Sequence, residues 1–205
     1  DKLDLSQYNS HLPPQLLNCL DRQIPESTNV ILFTSCQNKT GFNKEMMSNM
    51  EAYASYMRSR GLNPEIVVAP MRYRNPTAPA EQQRKGKKEE WWVDEIVPYL
   101  YFSKIQFGDT ILSTRSRILP TAKKPLTSFE VLAKNNNLVL PHPKIHFKIL
   151  PRLKGQSLRS LSTTGAISHK NYSDSKAGET GYLHHSYGFV VIELDDYGKT
   201  LVPRN

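Results

Sequence analysis

The sequence has few cysteines and no long apolar run, and each absence excludes a class of protein. Its 205 residues contain two cysteines, Cys19 and Cys36, too few for a disulfide framework; we expect both to be small core residues of a chain kept among reduced thiols. The longest apolar runs, at 30–33 and 189–192, are strand-sized, whereas a bilayer-spanning helix needs about 20 apolar residues. The sequence therefore predicts a cytoplasmic protein with no membrane partner.

Acidic side chains are scarce in the second half of the chain. The formal net charge is +8, but residues 1–100 hold 12 basic and 12 acidic side chains, whereas residues 101–205 hold 15 and 7. Between Lys104 and Lys176 there are 13 basic and three acidic residues. A localised field of this kind attracts polyanions, so DNA is the predicted partner. A solubility role, or an acidic patch on a partner protein, remains open.

The ends of the sequence suggest a piece of a longer protein. It begins at Asp1 without an initiator methionine or a signal-like apolar core, and it stops at Asn205 soon after a strand pattern. A chain of this length buries roughly 70% of its unfolded surface and needs no disulfide or metal to fold.

The first half of the chain carries the pattern of a strand, a helix and a second strand. Short apolar runs at 29–34 and 65–70 predict buried strands. Between them, apolar residues recur at three- and four-residue steps over 44–60, and Gly61 closes the predicted helix. A short helix is expected within 3–20, and 91–100 has a helix-like apolar pattern.

The second half is rich in short strand-like runs, at 110–119, 144–150, 158–163 and 188–194, which predicts mixed or antiparallel pairing. The fold class is therefore α/β, a mixed sheet with an N-terminal βαβ unit and a β-rich second half. We expect one domain over residues 1–205, with 28–100 and 101–205 as its two parts.

Residues 144–149 alternate strictly between basic or histidine and apolar side chains. A strand there is predicted to place Ile145, Phe147 and Ile149 on the core face and Lys144, His146 and Lys148 on the other. Such a stripe suits phosphate contacts, although an ordinary solvated face is an equal alternative. The complete set of candidate nucleic-acid contacts is Arg115, Arg117, Lys144, Lys148, Arg152, Lys154 and Arg159.

Polar side chains follow the two predicted parallel strands where ligands collect in α/β sheets. The loop at 34–41 lacks the spacing of a Walker loop, and helix capping and loop solvation are more typical roles for its residues than anion binding. With residues from later segments it forms a candidate strand-end pocket for a nucleotide or phosphate ester. Its members are Gln37, Asn38, Lys39, Arg72, Arg74, Thr163, Thr164, His184 and His185.

The histidines do not form a metal-binding pattern. His142 and His146 bracket a proline with no carboxylate nearby, and adjacent His184 and His185 would point to opposite faces of an extended segment. No two-metal motif and no cysteine nucleophile with a base partner is present. No metal, cofactor or catalytic residue is therefore assigned within this chain, and whether it is an enzyme stays open.

The order of several short polar segments resembles a known family. The segments are Ser35-Cys36-Gln37-Asn38, 70–77, Pro120-Thr121-Ala122, His142-Pro143-Lys144, Thr163-Thr164-Gly165, Asn171-Tyr172 and His184-His185. In this order they resemble the N-terminal part of a family of tailed-bacteriophage proteins that carry a C-terminal calcineurin-like metallophosphoesterase. The resemblance spans roughly residues 29 to 205.

The resemblance implies a function for the longer protein. The best-known member type is a pre-early phage protein linked to host DNA degradation and DNA transfer, which implies a manganese-type nuclease in the host cytoplasm. This chain lacks the phosphoesterase motifs, so that catalysis would lie beyond Asn205. We carry three hypotheses for the chain itself: a DNA-binding or assembly module, an enzyme using the strand-end pocket, and a purely structural homo-oligomerisation domain.

Overall fold

The computed structural model describes residues 14–73, 91–114, 116–117, 119–156 and 158–201. The helices are α1 (Pro14–Leu17), α2 (Lys44–Ser59), α3 (Glu130–Ala133) and α4 (Lys176–His184), with a 3-10 turn at Val97–Tyr99. The strands are β1 (Val30–Gln37), β2 (Pro64–Arg72), β3 (Ile105–Phe107), β4 (Thr110–Leu112), β5 (Ser116–Arg117), β6 (Asn137–Leu140), β7 (Phe147–Leu150), β8 (Arg159–Thr163) and β9 (Val190–Glu193).

The strands form two mixed sheets. Sheet 1 has the order β5-β2-β1-β9, with β1 parallel to β2 and antiparallel to β9. Sheet 2 has the order β3-β4-β6-β8-β7, parallel through β4, β6 and β8 and antiparallel at both edges. The predicted α/β class with a β-rich second half is confirmed, but its strands are divided between two sheets.

Helix α2 forms where the apolar spacing predicts it. The Asn43 side chain caps its N-terminus by accepting a hydrogen bond from the Met46 N–H at 3.0 Å. Its buried face is made largely of methionines and packs on sheet 1. Gly61, with φ of +81°, ends it in the left-handed conformation that glycine adopts without strain.

Apolar clusters hold the elements in layers. One cluster joins α2 to one face of sheet 1, through residues such as Met50 and Leu32. A second joins the opposite face of sheet 1 to sheet 2, through Phe33 and Val139 among others. A third covers the far face of sheet 2, where Leu126 meets Leu161. The layer order is thus helix, sheet, sheet and a short helix with its loops. The buried Cys19 and Cys36 are core residues as predicted.

The helix expected at 91–100 is wrong. This segment is a series of turns that ends in the 3-10 turn at Val97–Tyr99. Its apolar side chains are buried all the same: Trp92 donates from its indole nitrogen to the Cys36 carbonyl at 2.9 Å, and Ile96 and Leu100 pack in the α2 cluster. A buried turn has reproduced the spacing of an amphipathic helix.

Gly165 is a position where a side chain would not fit. Its φ is +71°, and a Cβ there would lie 3.0 Å from both the Cα and the N of Gly188. Gly165→Ala is expected to lower the free energy of unfolding by about 3 kcal/mol, from left-handed strain plus overpacking against backbone. Urea denaturation followed by circular dichroism measures this.

Gly61→Ala is the matched control for Gly165→Ala. Gly61 has a comparable φ of +81° but nothing within 4 Å of the added Cβ. Gly61→Ala should lower the free energy of unfolding by about 1 kcal/mol, because it adds backbone strain without a steric clash. Equal losses at the two glycines would show that the Gly165 contacts are unimportant.

Candidate nucleic-acid interface

Strand β7 lies at the edge of sheet 2 and carries part of the predicted basic stripe. Its register against β8 pairs Lys148 with Leu161 and Leu150 with Arg159. Paired residues share a face, and both leucines belong to the apolar cluster on the outer face of sheet 2. The basic side chains therefore border that cluster, beside α3.

The predicted core face of β7 is wrong. Ile145, Phe147 and Ile149 are 40%, 46% and 54% exposed. Phe147 and Ile149 lie opposite Ser162 and Ser160, and none of the three belongs to an apolar cluster of the described residues. β7 is the edge strand of sheet 2, and it lies beyond the apolar cluster that joins the two sheets, which contains no residue of this strand. An exposed apolar face on an edge strand is a surface suited to self-association, but the homo-oligomer stays a prediction.

Lysines converge around His146. Burial, and after it the charges of Lys144, Lys124 and Lys148, lower the pKa of this histidine. Lys144 reaches across to donate from Nζ to the Lys123 carbonyl at 2.8 Å, and Lys148 forms an ion pair with Glu130. Positive charge is thus concentrated at one place, and Glu130 compensates one of the three lysines.

Arg152 and Arg159 form a second positive site at the other end of β7, here called the arginine pair. Partial burial and then the charge of Arg152 lower the pKa of Arg159, so the two guanidinium groups are close enough to repel each other. The Nε atoms of both, and Nη1 of Arg159, are buried without a hydrogen-bond partner. Arg152 Nη1 makes a long contact of 3.4 Å to the Asn135 side chain. Buried donors without acceptors suit an anion.

We call this surface the basic strip: Lys124, Lys144, Lys148, Arg152 and Arg159. Of the other predicted contacts, Lys154 is exposed in the turn between β7 and β8. Arg117 lies in β5, beside Arg72 of sheet 1, so it is in a different sheet from the strip. Arg115 lies outside the described residues.

The predicted strand-end pocket is a packed polar cluster. Gln37, Asn38, Thr164 and His185 are buried. Gln37 donates from Nε2 to the Asn171 carbonyl at 3.0 Å, while the Asn38 side-chain oxygen accepts from the Tyr73 N–H at 2.9 Å. The first bond joins the end of β1 to the segment before α4, and the second joins it to the residue that follows β2.

The other residues of the predicted pocket also have hydrogen-bond partners. Thr164 donates to the Ser35 hydroxyl at 3.0 Å. Thr163 lies on the β7 side, where its hydroxyl donates to the Lys144 carbonyl and accepts from the His146 N–H. His184 contacts the Pro120 carbonyl at 2.8 Å, away from His185. Lys39 and Arg72 border the cluster at the ends of β1 and β2, and Arg74 lies outside the described residues.

His185 is hydrogen-bonded at both of its ring nitrogens. Its Nε2 donates to the Ser168 carbonyl at 2.9 Å, and its Nδ1 accepts from the Tyr172 hydroxyl at 2.7 Å. Burial lowers the pKa of His185 to about 4 and raises that of Tyr172. The proton therefore stays on Tyr172, and the pair is a poor acid–base couple near neutral pH.

Two cavities open elsewhere. One of about 310 Å³ lies between α2 and β2 beside Glu51 and Glu65, and one of about 230 Å³ lies beside Leu119 and His142. Neither is lined by the strand-end residues, and the enzyme hypothesis stays a prediction. Within the described ranges, no group of three or more histidine, cysteine, aspartate or glutamate side chains is placed to hold a metal. No helix in those ranges is long and apolar enough to cross a membrane.

Sequence reasoning missed an exposed group of aromatic and basic side chains near α4. Lys170 Nζ lies 3.9 Å from the centroid of the Tyr182 ring, and His169 Nδ1 lies 3.3 Å from the Tyr187 hydroxyl. Tyr182 and Tyr187 are 56% and 43% exposed. We call His169, Lys170, Tyr182 and Tyr187 the aromatic patch. The density of tyrosine and histidine over 169–187 was the available signal.

The chain is similar to Protein A1 of Escherichia phage T5, with 27% identity over 174 residues. The match covers 83% of this chain and 30% of the phage protein, so the chain spans less than a third of that relative's length. No protein-family model and no solved structure matches the chain. The resemblance to a phage protein is supported, and the pairing with a phosphoesterase stays a prediction.

Proposed function

We propose that this chain is a nucleic-acid-binding domain that holds the sugar-phosphate backbone of DNA on the basic strip. The arginine pair carries the proposal. The two guanidinium charges repel each other, and the buried Nε atoms of both arginines and Nη1 of Arg159 have no hydrogen-bond partner. An anion between the two groups would relieve the repulsion and accept those hydrogen bonds. A backbone phosphate offers that charge and accepts hydrogen bonds from both arginines.

The lysines extend the same site along β7. Lys148 lies in β7 itself, whereas Lys144 lies three residues before that strand and Arg152 two residues after it. Eight residue steps separate Lys144 from Arg152, an upper limit of roughly 26 Å at about 3.3 Å per residue, which leaves room for several phosphates. Contacts of this type fix a backbone without reading its sequence.

Salt-dependent binding tests the proposal. With four phosphates neutralised, the logarithm of the association constant for a labelled duplex should fall against the logarithm of salt concentration with a slope of about −3.6. A fourfold rise in salt then weakens binding about 150-fold. Fluorescence anisotropy at several salt concentrations, with duplexes of unrelated sequence, measures both the slope and the absence of sequence preference.

An affinity that did not change with salt would contradict phosphate contact as its source. A strong preference for one duplex would contradict backbone recognition. An acidic polypeptide that bound as tightly as DNA at matched charge would point instead to a partner protein.

In the longer protein, this domain would hold DNA for a metal-dependent nuclease that acts in host DNA degradation and DNA transfer in the host cytoplasm. The similarity to a T5 phage protein and the resemblance of the polar segments support this wider role. The described residues do not fit manganese, since they offer no cluster of three ligands. A manganese-type site would have to be formed by other parts of the protein.

A further inference from the structure

The aromatic patch adjoins the lysine end of the basic strip, because the Ser186 N–H, next to Tyr187, donates to the Pro143 carbonyl, next to Lys144, at 2.9 Å. Lys144 Nζ contacts the Lys123 carbonyl at 2.8 Å, next to Lys124 in the loop that follows Pro120. The Pro120 carbonyl contacts His184 Nδ1 at 2.8 Å, at the C-terminal end of α4. Helix α4, which carries Tyr182, therefore adjoins the end of the strip that holds Lys124 and Lys144.

The patch combines the two features that unpaired nucleic acid requires. Tyr182 and Tyr187 present exposed rings, and an aromatic face stacks on any base. Lys170 lies over the Tyr182 ring, and His169 borders Tyr187, so positive groups accompany each ring. Duplex DNA keeps its bases stacked on each other and offers no free face to a tyrosine.

The Tyr187 ring packs against the buried ring of His185. The His185 ring lies 5.6 Å from the Tyr187 ring and 5.7 Å from the Tyr172 ring, both nearly perpendicular. The bonds of His185 to Ser168 and Tyr172 fix that ring in the cluster at the end of β1. Tyr187 therefore packs against a side chain whose position is fixed, which reduces the conformational entropy that Tyr187 loses when a nucleotide base stacks on it.

We propose that the aromatic patch binds unpaired bases of a single-stranded nucleic acid whose backbone runs along the basic strip. This inference rests on the proposed nucleic-acid binding and specifies its substrate: a strand with unstacked bases, such as a frayed or single-stranded DNA end. The patch adds affinity for single strands and none for the duplex.

The test compares a labelled oligothymidylate of about 20 nucleotides with a duplex of equal length. Tyr182→Ala/Tyr187→Ala in the 205-residue chain should weaken binding to the single strand about tenfold or more and leave the duplex affinity within about twofold. Tyr182→Phe/Tyr187→Phe keeps both ring faces and should bind the single strand like the unmodified chain. Tyr182→Ala alone, at the more exposed ring, should retain the fold and give part of the loss.

The outcomes separate this inference from the proposed function. If the alanine variant binds the single strand unchanged while charge reversal of the arginine pair weakens it, the aromatic patch is overturned and the basic strip stands. An equal loss on single strand and duplex overturns the patch as a base-stacking site. If the unmodified chain binds neither nucleic acid, both proposals are overturned, and binding of an acidic polypeptide through the tyrosines would identify a protein partner instead.

Discussion

Arg152→Glu/Arg159→Glu is expected to weaken DNA binding at least about 100-fold. Each arginine loses a charge-assisted contact to phosphate worth about 1.5 kcal/mol or more, and the new carboxylates repel the backbone. The slope of the logarithm of the association constant against the logarithm of salt concentration should become shallower by about 1.8, because two phosphates are no longer neutralised. Anisotropy titrations at low and moderate salt measure both quantities.

The folded state should tolerate this change, because the pair is a site of repulsion before the anion binds. Lys44→Glu/Arg60→Glu alters the net charge equally but lies on and just after α2, on the other side of sheet 1. That control should change affinity by less than about threefold, through the long-range field alone. Equal losses in the two variants would mean that net charge, rather than the arginine pair, binds the DNA.

Acidification from pH 6.5 towards pH 4 is expected to destabilise the fold by about 5 kcal/mol through two buried histidines. Burial lowers the pKa of both His142 and His185 from 6.5 to about 4. The unfolded chain therefore binds more protons than the folded chain in this window, and stability falls as pH falls. In His142 the Nδ1 atom accepts from the Lys144 N–H at 3.0 Å, a bond that protonation of Nδ1 would break.

Single variants assign the effect to each histidine. His142→Gln and His185→Gln should each remove about 2.5 kcal/mol of the loss between pH 6.5 and pH 4, whatever their stability at neutral pH. Urea titrations at a series of pH values give the slopes. Variants whose pH dependence matched that of the unmodified chain would show that other groups cause the acid sensitivity.

Local patterns predicted the elements whose burial is decided within one segment. β1, α2 and β2 follow from apolar spacing, an asparagine cap and Gly61, all readable within about 40 residues. The error at 91–100 has a clear origin, since Trp92, Ile96 and Leu100 are four residues apart and fit a helix. Their burial depends instead on the distant Cys36 carbonyl and the α2 cluster.

The candidate site was predictable in its charge but not in its geometry. Counting charges located the basic half, and strand alternation placed Lys148 on the correct strand. The approach of Arg152 to Arg159 depends on the register of β7 against β8, and the exposure of Phe147 depends on β7 being an edge strand. Neither follows from a local pattern. Likewise, Lys170 and Tyr182 meet only because α4 folds back on the segment before it.

The position of β9 beside β1 affects how the chain folds during synthesis. Val30 pairs with Glu193 and Phe33 with Val190, about 160 positions apart. At about 5–20 residues per second, the ribosome makes β9 roughly 10 to 30 s after β1. Until then one edge of β1, a strand that is buried along its whole length in the folded protein, has no partner, and the nascent chain is exposed to aggregation. Expression of residues 1–100 alone should therefore give a chaperone-dependent or insoluble product.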